Sequence, residues 1–209
     1  KPGMNSDGVG LAVNGMYSTR DDWTRLKKPF HLRCYDVLKS KNMDDALDAL
    51  TKTARSCTAN FIVGHSPQGV VDIELAPEKL RLIYPENDVI SHANHFNDQN
   101  ELGVSEPPNP RRHLSEYRQK RMESLLNKQK PLSILCIQNI LKDHENIPQS
   151  LCRHRDDSLP RSQHTIFPVS RLNSHIYHTI RIFWSIYEYG IYRYSSMRTK
   201  RAYVSLWRL

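Results

Sequence analysis

Four short segments between residues 59 and 94 constrain the fold more than any other part of the sequence. Residues 59–64 are a mostly apolar run, whereas residues 70–75 and 79–84 alternate apolar with charged side chains. Such alternation is typical of strands with one buried face. Residues 67–69 predict a hairpin turn, and residues 89–94 predict a fourth strand. Closely spaced strands separated by turns predict an antiparallel sheet.

A further strand and two helices are predicted before this sheet. Residues 9–16 predict a strand of small and apolar residues that follows a polar turn at residues 4–8. Residues 29–38 have helical spacing, and residues 42–50 predict the clearest helix, because Asn42 can cap it and acids fill its first turn. The buried side of that helix is predicted to contain Met43, Ala46, Leu47 and Leu50.

Two helices are also predicted after the sheet. A proline-rich loop at residues 106–110 precedes a helix over residues 115–126. Its Arg118, Lys120 and Arg121 are expected to face solvent. A second helix is predicted over residues 132–142. Helices before and after an antiparallel sheet predict a layered α+β fold.

Length and charge favour a globular protein and argue against nucleic acid as its partner. The 209 residues, 38% of them hydrophobic and 25% charged, suffice for one domain with a sizeable core. Residues 161–209 hold eight Lys/Arg and one Glu, so a net charge of +8 − 7 = +1 is left for residues 1–160. Residues 1–160 therefore have no basic stripe for a phosphate backbone. No apolar run reaches the roughly 18 residues that a membrane helix needs, and no signal peptide is visible.

The four cysteines are Cys34, Cys57, Cys136 and Cys152, and no two of them form a CxxC pair. A zinc site is therefore not predicted, and the spacing does not match a secreted disulfide scaffold. Buried, reduced thiols are expected instead, which favours a reducing compartment.

The polar block formed by His92, Ala93, Asn94, His95 and Phe96 is the main candidate for chemistry. It follows the predicted fourth strand and precedes a loop rich in Asn, Asp and Gly. An amide flanked by two imidazoles can direct an N–H donor at a developing oxyanion, and the alternative is an ordinary strand-end cap. Two histidines three residues apart on a strand would face opposite sides, so joint metal ligation is not expected.

Three other segments accompany this block in the order found in one family. They are residues 3–15 (GMNSDGVGLAVNG), residues 55–61 (RSCTANF), and residues 143–146 (DHEN) with 150–154 (SLCRH). Together with the block they resemble the acyl-coenzyme A:6-aminopenicillanate acyltransferase-like family, N-terminal-nucleophile hydrolases that cleave their own precursor. The resemblance covers roughly residues 1–160. It implies an αββα sandwich, incomplete at both ends of this chain.

The resemblance also implies a reaction and its participants. An N-terminal Cys, with its own α-amino group as general base, attacks an amide or thioester and passes the acyl group to an amine or to water. The expected partners are a small-molecule acyl donor (an amide or acyl-CoA), an amine or water acceptor, and the upstream segment that carries the Cys. No cofactor, metal or nucleic acid is implied. Because the nucleophile is expected upstream of Lys1 and none of the four cysteines replaces it, this chain is expected to be a fragment that is inactive alone.

Family roles carry over to a few residues. Asn94 matches the proposed oxyanion donor, with Ala93 in place of a family threonine, and Arg153 matches an arginine that holds charge near the nucleophile or the substrate carboxylate. The alternative for Arg153 is a surface ion pair with Asp156 or Asp157. The remaining candidates are assigned to substrate binding, or alternatively to packing and turn closure, and they are Asn60, Thr58 and Asn14.

Residues 161–209 break the family pattern and form a predicted second region. They hold six of the ten Tyr and two of the three Trp. One explanation is translation in a wrong frame or through an intron, and the other is a basic aromatic extension that binds RNA or a membrane surface. Two alternative functions follow: a catalytically dead scaffold, and a nucleic-acid or membrane-surface binder. The expected compartment is the cytoplasm or the peroxisome.

Overall fold

The computed structural model describes residues 2–66, 68–129, 131–147 and 149–153, apart from the side chain of Ile134. The predicted boundary near residue 160 and the tail at residues 161–209 lie outside the described residues, as does Pro67 of the predicted hairpin turn. Nothing in the structure therefore bears on the division of the chain at residue 160.

Five strands form one antiparallel sheet in the order of the sequence. They are β1 (Gly3–Met4), β2 (Val9–Gly15), β3 (Ala59–His65), β4 (Gly69–Ala76) and β5 (Lys79–Ile83). The helices are α1 (Phe30–Lys39), α2 (Met43–Thr51), α3 (Gln99–Leu102), α4 (Arg112–Lys128) and α5 (Ile134–Leu141). The α+β class is confirmed, and so are the predicted strands β2 to β5 and the helices α1, α2, α4 and α5.

One face of the sheet is apolar and packs against α1 and α2. Alternate residues of the three central strands point to this side, because side chains of a strand alternate between its faces. They form a single buried cluster with the two helices. The strand residues at the centre of this cluster are Leu11, Val13, Phe61, Val63, Val71 and Ile73. The Asn42 side chain accepts a hydrogen bond from the Asp45 N–H at 2.9 Å, so the predicted cap of α2 is confirmed. The predicted inner face of α2 is also confirmed: Met43, Ala46 and Leu50 are buried and Leu47 packs against them.

The opposite face of the sheet is partly polar and is covered by residues 89–104. Ile90 packs there with Ala12, Ile62 and Val70. Ala93 joins a separate cluster that α4 and α5 form with Leu151. The chain segment between β5 and α4 thus lies between the sheet and the C-terminal helices, and it carries the candidate block across this face.

The prediction of a strand over residues 89–94 is wrong. Asn87 and Asp88 adopt left-handed φ values of 50° and 63°, and the chain reverses so that Glu86 and Val89 form only an isolated bridge. Beyond Ile90 the backbone N–H groups bond to side chains instead of a neighbouring strand. Val89 and Ile90 are too short an apolar run to specify a strand. The backbone N–H groups that follow are satisfied by side-chain acceptors and so do not need a neighbouring strand.

Other predictions needed correction as well. Arg118 does not face solvent: it is 1% exposed on α4, whereas Lys120 is exposed as predicted and Arg121 is half-buried. The short strand β1 was not predicted, and α3 lies within what was predicted to be loop. Gly103 ends α3 with a φ of 67°, a conformation that glycine adopts without a Cβ clash.

The αββα sandwich stays a prediction, because the residues that the structure describes contain one sheet and not the second that such a sandwich requires. Within the described part of the chain, no helix has the length and apolar character needed to cross a membrane.

Candidate active site

Four polar side chains project from the centre of the sheet toward the block. Asn14 on β2 lies opposite Asn60 on β3, and Asn60 lies opposite Glu74 on β4. Asp72 lies on the same face of β4, two residues before Glu74. All four residues are completely buried. Buried carboxylates and amides are costly unless they are hydrogen-bonded, so this arrangement must satisfy itself internally.

The two asparagine amides link the strands to the block. Asn14 donates from Nδ2 to the Asn60 Oδ1 atom at 2.7 Å and to the His92 carbonyl at 3.1 Å. Asn60 in turn donates to an Asp72 carboxylate oxygen and to the Ile73 carbonyl. Their amide groups are therefore used within the protein. The assignment of Asn14 and Asn60 to substrate binding stays a prediction, and their burial favours a positioning role.

His92 is the centre of this buried network. Its Nε2 lies 2.9 Å from Glu74 Oε1 and 3.9 Å from Asp72 Oδ2, while its Nδ1 lies 2.9 Å from the Ala93 carbonyl oxygen. Both ring nitrogens thus face acceptors. An imidazole satisfies two acceptors only when both nitrogens carry protons, which makes His92 a buried imidazolium.

The pKa values follow from this arrangement. Burial alone would lower the pKa of His92, but the carboxylates of Asp72 and Glu74 outweigh burial and raise it to about 9. Burial raises the pKa of Asp72 to about 6, even though the His92 cation and the Asn60 amide oppose that change. At neutral pH the site therefore retains its buried cation between two carboxylates.

The peptide unit between Ala93 and Asn94 is held at both of its polar atoms. His92 Nδ1 donates to the Ala93 carbonyl oxygen. The Asn94 N–H donates to Ser115 Oγ on α4 at 2.8 Å. The preceding N–H, that of Ala93, donates to Gln119 Oε1 at 3.1 Å. Helix α4 and the sheet together therefore fix the backbone that enters Asn94.

The Asn94 side chain itself is half-buried at the end of β2. Its Nδ2 donates to the Gly15 carbonyl at 3.2 Å, and its Oδ1 accepts a hydrogen bond from Arg118 Nη2 at 3.3 Å. The amide orientation is thus set, with nitrogen toward β2 and oxygen toward α4. The catalytic role of Asn94 stays a prediction.

His95 has the opposite electrostatic character to His92. Burial lowers its pKa to about 3, and the nearby cations of His92, Arg112 and Arg118 act in the same direction. Its Nδ1 lies 2.9 Å from Ser115 Oγ. The prediction that His92 and His95 face opposite sides is wrong, because the segment is not a strand: the ring centroids are 6.3 Å apart.

Arg153 and Thr58 occupy different surroundings. Arg153 is 5% exposed and so does not lie at the surface, and the partners considered in its alternative, Asp156 and Asp157, lie outside the described residues. It follows Leu151, which packs in the cluster that contains Ala93. Thr58 precedes β3, donates its hydroxyl proton to Asp21 Oδ1 at 2.6 Å and lies 2.8 Å from Ser18 Oγ, in a polar cluster of its own. The catalytic role of Arg153 and the binding role of Thr58 stay predictions.

A comparison with known protein families decides what this arrangement belongs to. Residues 1–185 match the family described as acyl-coenzyme A:6-aminopenicillanic acid acyl-transferase. The chain belongs to this family. The resemblance inferred from the motifs is confirmed, and the match continues beyond residue 160. No curated protein matches the chain. Membership in this acyltransferase family indicates an acyltransferase-like function.

The cysteines of this acyltransferase-family chain lack the surroundings of a nucleophile. Burial raises the pKa of the thiols of Cys34, Cys57 and Cys152, whereas a nucleophilic thiol needs a lowered pKa. Cys136 lies on α5 beside the Gln129 side chain. Among the described residues, no group of three or more His, Cys, Asp or Glu side chains is arranged to hold a metal ion.

Several residues that build this site were not predicted as functional. They are Asp72, Glu74, Ser115, Arg118 and Gln119. One signal was present: Asp72 and Glu74 are two acids in a strand whose every residue is buried, and a strand of that kind needs charge partners. The α4 residues gave no signal, because nothing local distinguishes a charged residue that covers the site from one that faces water.

Proposed function

We propose that this chain supplies the oxyanion-binding part of a self-processing acyltransferase or amidohydrolase that acts on amide or thioester acyl groups. The observation that carries the proposal is the placement of Asn94 at the end of β2, with its amide oriented by Gly15 and Arg118. Preorganised amide donors of this kind stabilise the charge that develops on a carbonyl oxygen during acyl transfer.

We further propose that the nucleophile is an N-terminal Cys on a segment upstream of this chain. The pairing of β1 with β2 supports the idea, because Gly3 lies opposite Leu11 and Met4 opposite Gly10. A strand that continued this antiparallel register before Gly3 would run alongside β2 toward Gly15. A Cys carried on it would approach the Asn94 amide, which bonds to the Gly15 carbonyl.

In the proposed reaction the α-amino group of that Cys takes the thiol proton. The thiolate adds to the carbonyl carbon of the acyl donor, and Asn94 Nδ2–H donates to the resulting oxyanion. Collapse of this intermediate expels the amine or thiol leaving group, which takes a proton from the ammonium, and leaves an acyl-enzyme. An amine or water then attacks the acyl-enzyme, passes a proton to the α-amino group, and releases the thiolate. Arg153, buried and cationic, would balance negative charge on the substrate.

The test uses the protein expressed with the segment that precedes it in its gene. Acyl transfer from a panel of acyl-coenzyme A thioesters to 6-aminopenicillanic acid, and to water, is followed together with the mass of any acyl-enzyme. We expect Asn94→Ala to lower kcat by about 10²–10³-fold, the loss typical of one oxyanion donor. The matched control is Asn127→Ala on the exposed side of α4, which should leave kcat unchanged.

Two results would contradict the proposal. One is a protein that contains the upstream segment but forms no acyl-enzyme with any donor and does not cleave itself. The other is full turnover by Asn94→Ala.

A further inference from the structure

We propose that His92, held between Glu74 and Asp72, is a positioning residue that fixes the peptide unit preceding Asn94 and thereby orients the oxyanion donor. The catalytic consequence of this inference rests on the proposed function, whereas the arrangement of His92 can be tested without turnover.

The first step is the protonation that the geometry requires. Glu74 Oε1 also accepts a hydrogen bond from the Asn97 N–H at 2.6 Å. It is therefore an acceptor, and not a donor, in its contact with His92 Nε2. The Ala93 carbonyl can only accept. Both contacts of His92 at 2.9 Å therefore need a ring N–H, and the ring must carry two protons.

The second step is what happens when one of those protons leaves. The remaining proton stays on Nε2, because the carboxylate of Glu74 holds it by the stronger, charge-assisted hydrogen bond. Nδ1 then turns a lone pair toward the Ala93 carbonyl oxygen, and the contact becomes repulsive. The Ala93–Asn94 peptide unit keeps its N–H bond to Ser115 but loses its bond on the carbonyl side.

The third step connects this peptide unit to the reaction. Rotation of the unit moves the Asn94 Cα and so displaces its side-chain amide from Gly15 and Arg118. A displacement of about 1 Å in a positioning group can cost about 10²-fold in rate. His92 would thus act through Asn94 without touching the substrate.

The charged and titratable groups around His92 come from every element packed against it. They are Asp72 and Glu74 on β4, Arg81 on β5 at 3.9 Å from Glu74, and His95 on the same segment. Arg112, Arg118 and Lys120 on α4 act on the neighbouring His95, whose pKa they help to lower. The two carboxylates are the nearest. Replacing one of them should therefore move the proton equilibrium of His92 more than any change on α4 would.

The direct experiment is ¹⁵N NMR of the histidine rings in the full chain. We expect one imidazole to keep both ring nitrogens protonated at pH 7.5, and its signal to vanish in His92→Gln. We expect Glu74→Gln to move the titration of that ring to lower pH. A wild-type His92 that is a neutral tautomer at pH 7.5 would overturn the inference, whatever the protein catalyses. Because this measurement uses the wild-type chain, it stands even where a variant fails to fold.

The catalytic experiment uses the protein with its upstream segment. We expect His92→Gln to lower kcat by about 10²-fold with KM changed less than about twofold. The matched control is His113→Gln on the exposed side of α4, which should leave both constants unchanged. We also expect kcat of the wild type to fall at high pH, and this fall to move to lower pH in Glu74→Gln.

The two proposals fail in different ways. A doubly protonated His92 in a protein without any acyl transfer would contradict the proposed function while leaving the buried imidazolium intact. An active, folded His92→Gln variant with wild-type kcat would contradict the positioning role while leaving the acyltransferase intact. An alkaline limb of kcat that does not move in Glu74→Gln would also contradict the positioning role.

Discussion

The face of the sheet that packs against α1 and α2 and the face that packs against residues 89–104 are built from alternate residues of the same strands. On the first face, Phe61, Val63 and Ile73 bury apolar surface against two helices. On the second, Asn60, Asp72 and Glu74 bury polar groups that bond to one another and to His92, although Asp72 Oδ2 and Glu74 Oε2 have no hydrogen-bond partner among the described residues. The stability of the first face depends mainly on the volume of its apolar side chains. The stability of the second depends on each charge or hydrogen-bond partner being present.

The largest expected effect tests the apolar face. Phe61 is 1% exposed, and Phe61→Ala should lower the free energy of unfolding by about 3–5 kcal/mol, because it removes buried surface and leaves a cavity. The measurement is urea denaturation. Leu26→Ala, at a side chain that is 99% exposed, is the control and should have almost no effect. Equal losses in the two variants would show that Phe61 is not part of a close-packed core.

The polar face should respond to charge more than to volume. Glu74→Ala leaves the buried His92 cation without its nearest partner and should cost about 3 kcal/mol in urea denaturation. Glu74→Gln keeps the shape and an acceptor toward Asn97 but removes the charge, so most of the loss seen in Glu74→Ala should remain. If Glu74→Gln lost almost no stability, the carboxylate charge would not matter and the contrast between the two faces would fail.

The pH dependence of stability should also come from the polar face. The pKa of His92 rises from 6.5 to about 9 on folding, so its contribution is complete below pH 6.5 and is lost as pH rises through 9. We expect the free energy of unfolding to fall by about 3 kcal/mol over that range. On the acid side two groups act in opposite directions. The pKa of His95 is lowered to about 3, so the free energy of unfolding falls as pH drops below 6.5. The pKa of Asp72 is raised to about 6, so its protonation between pH 6 and 3.8 partly offsets that loss. The alkaline side is therefore the cleaner measurement.

The check is urea denaturation at pH 6.5 and 9.5 for the wild type and for His92→Gln. The variant should show a much flatter profile over this range. A wild-type profile that is flat from pH 6.5 to 9.5 would mean that His92 is not a stabilising cation.

The smallest expected effect lies on the apolar side of the sheet. Asn42→Ala removes the acceptor for the Asp45 N–H at the start of α2 and should cost about 1 kcal/mol. Lys41→Ala, at the neighbouring exposed position, is the control. Thermal unfolding would measure both. A loss at Lys41 equal to that at Asn42 would show that the cap contributes nothing specific.

The parts of the fold that were predictable from sequence are those whose hydrogen bonds are local. Helix α2 is an example: its cap, its acidic first turn and its inner face are all within ten residues. Residues 89–97 were not predictable, because their backbone N–H groups bond to Ser115, Gln119, Glu106 and Glu74 side chains. A sequence pattern contains no sign of such distant partners.

The candidate site shows the same division. Asn94 was identified from a motif, and the structure shows what holds it. Arg118 was assigned to solvent because charged residues on a helix usually face water. It is buried because the α4 surface on which it lies covers the block, and it donates to the Leu114 carbonyl and to Asn94. The role of a helix face depends on what packs beneath it, which the periodicity of the helix does not specify.

The partners that hold residues 92–94 have a consequence for the order of folding. Asn14 lies 78 residues before His92, Glu74 lies 18 residues before it, and Ser115 lies 21 residues after Asn94. Contacts between such distant segments require large loops to close, and they form late compared with the helix caps. The donor therefore acquires its orientation only after the sheet and α4 have come together. A nascent or partly folded chain would contain every residue of the site and yet have no oriented donor to offer a substrate.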